Sequence, residues 1–302
     1  MTWLLVAISA YLILAIVFLV DKYLLTTSIP NPKVYAFYVG TLGILALALA
    51  PFVGFYVPEK SQIILSLLAG AVFIYGLFWL YKTLKTFELS RVVPAIGGLT
   101  PLFTFGLIYL FSLGQEVLSP REFIAFILLI LGAVLINIKK EKLISLKSFK
   151  FSAITAFFLS LSFVLIKYVY LVQPFWNGFI WRSIGGFLMA ACLFVLFSEI
   201  KKEIFKKRER FPKKTATIFL SNQAAGAGAA ILQNWAIFLA PLALVPVIHA
   251  LIGTQYAFLF VFSLILSLKF PQILKEEISR KILVQKIIAI TLIGMGLAFL
   301  VL

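Results

Sequence analysis

The sequence predicts an all-α membrane protein whose ten transmembrane helices form a 5+5 inverted-topology repeat. Three observations lead there. The 302-residue chain is 63% hydrophobic and 13% charged, against roughly 45–50% and 25% in soluble domains. A soluble fold of this size buries only about 75% of the surface its unfolded chain exposes, so that much apolar surface calls for a bilayer. Apolar runs of about 20 residues, the length that crosses the hydrocarbon layer as a helix, recur along the chain, and the second half repeats the pattern of the first. Composition excludes a soluble enzyme, a disulfide scaffold and a disordered regulator. Cys192 is the single cysteine and can form no internal disulfide.

Spans are expected near residues 3–20, 34–57, 62–81, 90–113, 122–138, 151–171, 175–198, 215–239, 242–267 and 283–302. The first has only Met1 and Thr2 ahead of Trp3; lacking a basic leader, it reads as structure and not as a secretory signal. Val34–Val57 and Val92–Gln115 carry no Asp, Glu, Lys or Arg. Thr215–Leu268 runs 54 residues without one, room for two crossings with a turn at Ala240-Pro241. In lipid every backbone group must bond within its own segment or a closed barrel, and the apolar periodicity suits helices.

Shifted by 145 residues, Ala10–Tyr23 lies on Thr155–Tyr168, and Lys22-Tyr23 falls on Lys167-Tyr168. Shifted by 152, Val92-Val93-Pro94-Ala95-Ile96 falls on Leu244-Val245-Pro246-Val247-Ile248. Ala125 and Gly132 pair with Ala289 and Gly296 in the last span of each half. Five spans per half is an odd number, so the halves enter from opposite faces, an architecture that many secondary transporters use. The units are 1–138 and 151–302, joined by a basic linker at 139–150.

Phe87-Glu88-Leu89-Ser90-Arg91-Val92-Val93-Pro94, followed by Leu99-Thr100-Pro101-Leu102-Phe103, resembles the fourth helix of EamA-like members of the drug/metabolite transporter superfamily. Gly114-Gln115-Glu116 with Ile130-Leu131-Gly132 is similar to that family's spacing before and within helix five, and Ser162-Phe163-Val164 with Lys167 is similar to its repeat start. The resemblance spans the chain as a 5+5 pattern. It implies a secondary transporter that moves a small organic metabolite or drug-like solute across the cell membrane by alternating access, with metabolite export as one direction. The chain departs from the pattern at Gly253, which stands where the second half would match Pro101.

The connections alternate between two faces. The face away from the termini, face A, holds 23 of the 27 basic residues, leaving Lys60, Arg121, Lys167 and Arg182 on face B. The positive-inside rule then places the basic, odd-numbered connections in the cytoplasm, whereas the resemblance implies cytoplasmic termini. Phe270, Ile273, Leu274 and Ile278 interleave with Lys275, Arg280 and Lys281, and Ile200, Ile204 and Phe205 sit among basic residues. Such amphipathic, basic connections fit anionic lipid or a solvated loop that fixes topology. The expected partners are the bilayer and a small-molecule substrate. Nucleic acid is not expected, and the oligomeric state is monomer or homodimer.

No metalloprotease, nucleophile-elbow, P-loop or dinucleotide signature is present, and His249 is the only histidine; we expect no enzyme, no metal and no cofactor. Polar residues inside spans are costly and mark function by default. The substrate-binding candidates are Arg182 in span 7, Gln233 and Asn234 in span 8, and His249, Thr254 and Gln255 in span 9. Six positions separate His249 from Gln255, about 120° around a helix, so they suit a wide cavity wall. Asn222 and Gln223 are secondary candidates toward face A, and Lys22 and Lys167 read as snorkelling span ends. Asp21 and Glu88 stand at span ends, which argues against proton exchange through a buried carboxylate. Pro94, Pro101 and Pro246 are gating candidates, because proline frees backbone groups within a span. A guanidinium without a neighbouring acid favours an anionic or zwitterionic solute. The rival readings are a lipid flippase or membrane-embedded enzyme acting on a phosphorylated lipid, and a membrane assembly subunit that transports nothing.

Overall fold

A computed structural model describes residues 2–27, 31–87, 89–136, 145–205, 213–269 and 280–301. It is all-helical, with no strand among the described residues. The helices are α1 Thr2–Thr27, α2 Pro32–Gly43, α3 Lys60–Thr86, α4 Leu89–Phe111, α5 Pro120–Leu135, α6 Leu146–Tyr170, α7 Phe175–Leu196, α8 Ser198–Phe205, α9 Lys213–Leu239, α10 Val245–Ala250, α11 Ile252–Lys269 and α12 Arg280–Val301. Residues 137–144 of the basic linker, the basic stretch 206–212 and the amphipathic connection 270–279 lie outside the described residues, as do the side chains of Lys22 and Arg91.

Among the described residues eight segments are long and apolar enough to cross a membrane, so the protein is membrane-embedded. Two of the ten expected spans fall short. Helix α5 has 16 residues, about 24 Å against a hydrocarbon layer of about 30 Å. Helix α9 has length but carries Asn222, Gln223, Gln233, Asn234 and a run of Ala and Gly. The observed helices otherwise overlap the expected spans and extend a few residues beyond most of them. Helix α6 starts at Leu146, inside the stretch read as linker, because Ser145 caps it by accepting from the Ser148 amide.

Two spans are not single α-helices. The second continues from α2 as a 3₁₀ segment, Ile44–Phe52; its steeper rise, about 2.0 Å per residue, extends the span's reach. The ninth opens as a 3₁₀ turn, Leu242–Leu244, continues as α10, and breaks at Leu251 before α11. Pro246 therefore causes no mid-span opening: it stands in the first turn of α10, where the missing N–H removes no helical bond. The interruption lies five residues later. Pro94 and Pro101 are inside α4 and buried, leaving the carbonyls of Ser90 and Gly97 without their helical donors. The turn at Ala240-Pro241 is where the sequence puts it.

Association of helices in lipid rests on close packing more than on hydrophobic burial. Here α1 packs on α9, α3 on both α6 and α7, α4 on α6, α5 on α12, and α2 on α7, while α9 barely touches α7. Small residues make the closest approaches. A Cβ on Gly132 of α5 would stand 2.6 Å from Ile293 Cγ1 and 2.9 Å from Ala289 O. Reciprocally, one on Gly296 of α12 would stand 2.9 Å from Leu129 Cγ and 3.1 Å from Ala125 O. The α3–α7 crossing is tighter still: a Cβ on Gly70 would sit 1.8 Å from Arg182 O, and one on Gly185 2.1 Å from Leu67 O. Neither helix can carry a side chain there, and that crossing positions the site below.

Candidate functional site

Backbone contact between α3 and α7 fixes the position of Arg182. Phe73 lies one turn beyond Gly70, and the Arg182 guanidinium rests over its ring at 4.2 Å. Phe73 packs on Phe163 of α6, centroids 6.1 Å apart. Phe163 in turn stacks on the His249 ring at 4.2 Å with an interplanar angle of 26°. Arg182, Phe73, Phe163 and His249 thus form a continuous row across four helices. Arg182 is 5% exposed and His249 3%. The Nε and Nη2 atoms of Arg182 and the Nε2 atom of His249 are buried without a hydrogen-bond partner. Such orphans are rare, and a charged one is expensive.

The other predicted polar residues surround this row but are satisfied. Asn234 accepts from the Tyr170 hydroxyl at 3.2 Å and donates to Ala230 O at 2.8 Å. Gln233 donates to the Tyr11 hydroxyl at 3.5 Å, and Tyr11 donates to Ile248 O at 2.9 Å, tying α1 and α9 to α10. Gln255 donates to Leu14 O at 3.3 Å, and Thr254 bonds back to Leu251 O at 2.7 Å. Gln255 acts as a tie between α11 and α1, and Thr254 closes the break in span 9. The structure therefore separates two orphaned members, Arg182 and His249, from four that hold helices together.

Three polar features escape a reading of the sequence. Lys167 is buried; its ammonium donates to Ile237 O at 3.0 Å, Phe238 O at 3.3 Å and Ala240 O at 2.5 Å. It caps the C-terminal end of α9 and does not snorkel. Toward face A, Asp21 joins three helices: Tyr35 of α2 donates its hydroxyl to Asp21, and Asn222 of α9 donates at 2.6 Å, with Gln223 reaching the Tyr35 hydroxyl at 3.5 Å. Toward face B, Asn177 of α7 accepts the Tyr56 amide at 3.0 Å and the Trp181 indole donates to Tyr56 O at 3.1 Å. That pins the loop after span 2 above Arg182. Among the described residues no three His, Cys, Asp or Glu side chains come together as a metal cluster.

The aromatics were the least legible part. The chain has 31 Phe, 11 Tyr and 5 Trp, and nothing in the sequence distinguishes Phe73 and Phe163 from the rest. Tyr75 and Trp79 pack on Phe158 and Phe151, and Trp235 packs on Phe175.

No family model matches the chain, and no curated protein matches it either. The fold itself is shared: a solved structure described only as "Crystal structure of protein" superposes with a TM-score of 0.67 at 17% identity, covering 99% of this chain and 97% of that one.

Proposed function

We propose that the protein is a multi-pass secondary transporter that carries a small organic solute across the cell membrane by alternating access, similar to EamA-like drug/metabolite transporters. The single observation that carries this reading is the pair of orphaned, buried nitrogen sites on Arg182 and His249, set among helices from both halves of the chain. A protein that only held an assembly together would gain stability by replacing them with apolar groups. A ligand that visits the site supplies the missing partners.

The packing supports ten helices in two related halves. Exchanging the halves turns the α1–α9 contact into α6–α3 and the α4–α6 contact into α11–α1, and returns α5–α12 to itself. The Gly132 and Gly296 contacts follow the same exchange. The exchange fails around α3: it lies close along both α7 and α2, whereas its counterpart α9 runs close along neither. Alternating access requires such unequal halves, since the two exchange roles as the site turns from one face to the other. The absence of nucleotide motifs points to exchange or ion coupling as the energy source. The test is a ligand-stabilisation screen on the purified protein, then flux of each hit in liposomes. Saturable flux that counterflow accelerates supports the reading; hits that bind yet never cross contradict it.

A further inference from the structure

We propose that the Nε/Nη2 edge of Arg182 is an oxyanion fork that takes the carboxylate of a monoanionic organic solute, whose apolar body lies over Phe73 and Phe163 toward His249. The inference rests on the transport reading and narrows its substrate class. A guanidinium has a face and edges. The face of Arg182 is used, over Phe73 at 4.2 Å. The two orphaned atoms, Nε and Nη2, share one edge, and their N–H bonds run parallel. That edge matches the two oxygens of a carboxylate, the bidentate geometry for which arginine is suited.

Charge sets the class. Among the described residues the one salt bridge is Lys33–Glu199, far from Arg182, so the guanidinium has no protein counter-ion there. Lys167, the other buried cation in this half of the bundle, is committed to three carbonyls of the α9 end. One free positive charge neutralises one negative charge, so a dianion would remain half unpaired. The Tyr170 hydroxyl and the Asn234 oxygen already serve each other, and among the described residues no carboxylate is bonded into this row. This disfavours zwitterions and cations. Beyond the fork the row runs through the Phe73 and Phe163 rings to the unpartnered His249 Nε2, which suits an apolar body with at most one polar group at its far end.

The experiment uses the purified full-length protein and ligands of one skeleton: phenylacetate, phenylacetamide, phenylethylamine and phenylglycine, with inorganic phosphate as the competing oxyanion. Binding is read by calorimetry and by the shift in unfolding temperature. Phenylacetate is expected to bind and stabilise, the amide and amine not, and the zwitterion and phosphate more weakly. Arg182→Gln should weaken phenylacetate binding by about 30-fold or more, yet unfold at a higher temperature than the wild type without ligand, because the orphaned charge is gone. Arg182→Lys keeps the charge without the fork, should lose most of the affinity, and carries the test if the glutamine variant fails to fold. The proposal is overturned if either variant binds phenylacetate like the wild type, if the amine, zwitterion or phosphate binds tighter, or if no anion shows Arg182-dependent binding. Liposome counterflow keeps the two claims apart. Anion binding without flux refutes transport and leaves the fork standing; flux untouched by Arg182→Gln refutes the fork and leaves transport standing.

Discussion

Replacing Gly70 with alanine tests how the site is positioned. The new Cβ would stand 1.8 Å from Arg182 O, 2.7 Å from Gly186 N and 2.8 Å from Arg182 C. To reach even 3.0 Å from that oxygen, α3 and α7 must part by at least about 1.2 Å. The obstacle is backbone on a buried helix, so no side-chain rotation relieves it. Overpacking of this kind costs about 1–3 kcal/mol, here toward the upper end, and alanine's helix propensity returns about 1 kcal/mol at most. A net loss near 2 kcal/mol lowers the unfolding temperature by about 4–8 °C. The displacement also slides Arg182 over Phe73, so phenylacetate affinity should fall together with stability. Gly228→Ala and Gly106→Ala are the controls, since a Cβ at either meets nothing within 4 Å; both should match or exceed wild-type stability. Thermal unfolding of the four purified proteins decides. A Gly70→Ala protein as stable as the Gly228→Ala control would refute the close α3–α7 crossing and the placement of Arg182 built on it.

Other outcomes follow from the same geometry. Lys167→Met strands three carbonyls at the end of α9 and should cost about 2 kcal/mol, read as a lower unfolding temperature and faster hydrogen exchange confined to residues 236–240. Gly132→Ala and Gly296→Ala should destabilise to similar extents, the first slightly more, because its Cβ meets Ile293 at 2.6 Å and the second meets Leu129 at 2.9 Å; calorimetry on both compares them. The hydrogen bond from Lys33 holds the exposed Glu199 carboxyl below its usual range. The contribution of that pair is therefore present above the ordinary carboxylate range and fades as pH falls through the lowered value. Glu199→Gln should remove that part of the acid slope, and added salt should shrink it in the wild type.

The helical, membrane-embedded fold was legible because a bilayer imposes length and hydropathy on each span. What failed was tied to local chemistry. Pro246 matched Pro94 in the alignment of the halves, but three preceding 3₁₀ residues turn it into a helix-start residue. Lys167 reads as a span end until the α9 terminus arrives beside it from 70 residues away. Arg182 and His249 were legible as costly polar residues. Their being orphaned, unlike Asn234 or Gln255, depends on partners from other helices that no spacing reveals. Asp21 was set aside as a span-end residue, yet α2 and α9 close over it.

Access to the core from the two faces tests the account most directly. A cysteine placed by Asn234→Cys, with the exposed Cys192 changed to serine, sits beside Tyr170 at a position now 1% exposed. In liposomes of uniform orientation, an impermeant thiol reagent should modify it when added from either side, and bound solute should slow both reactions. Modification from one side only, or from neither, would contradict alternating access around this site.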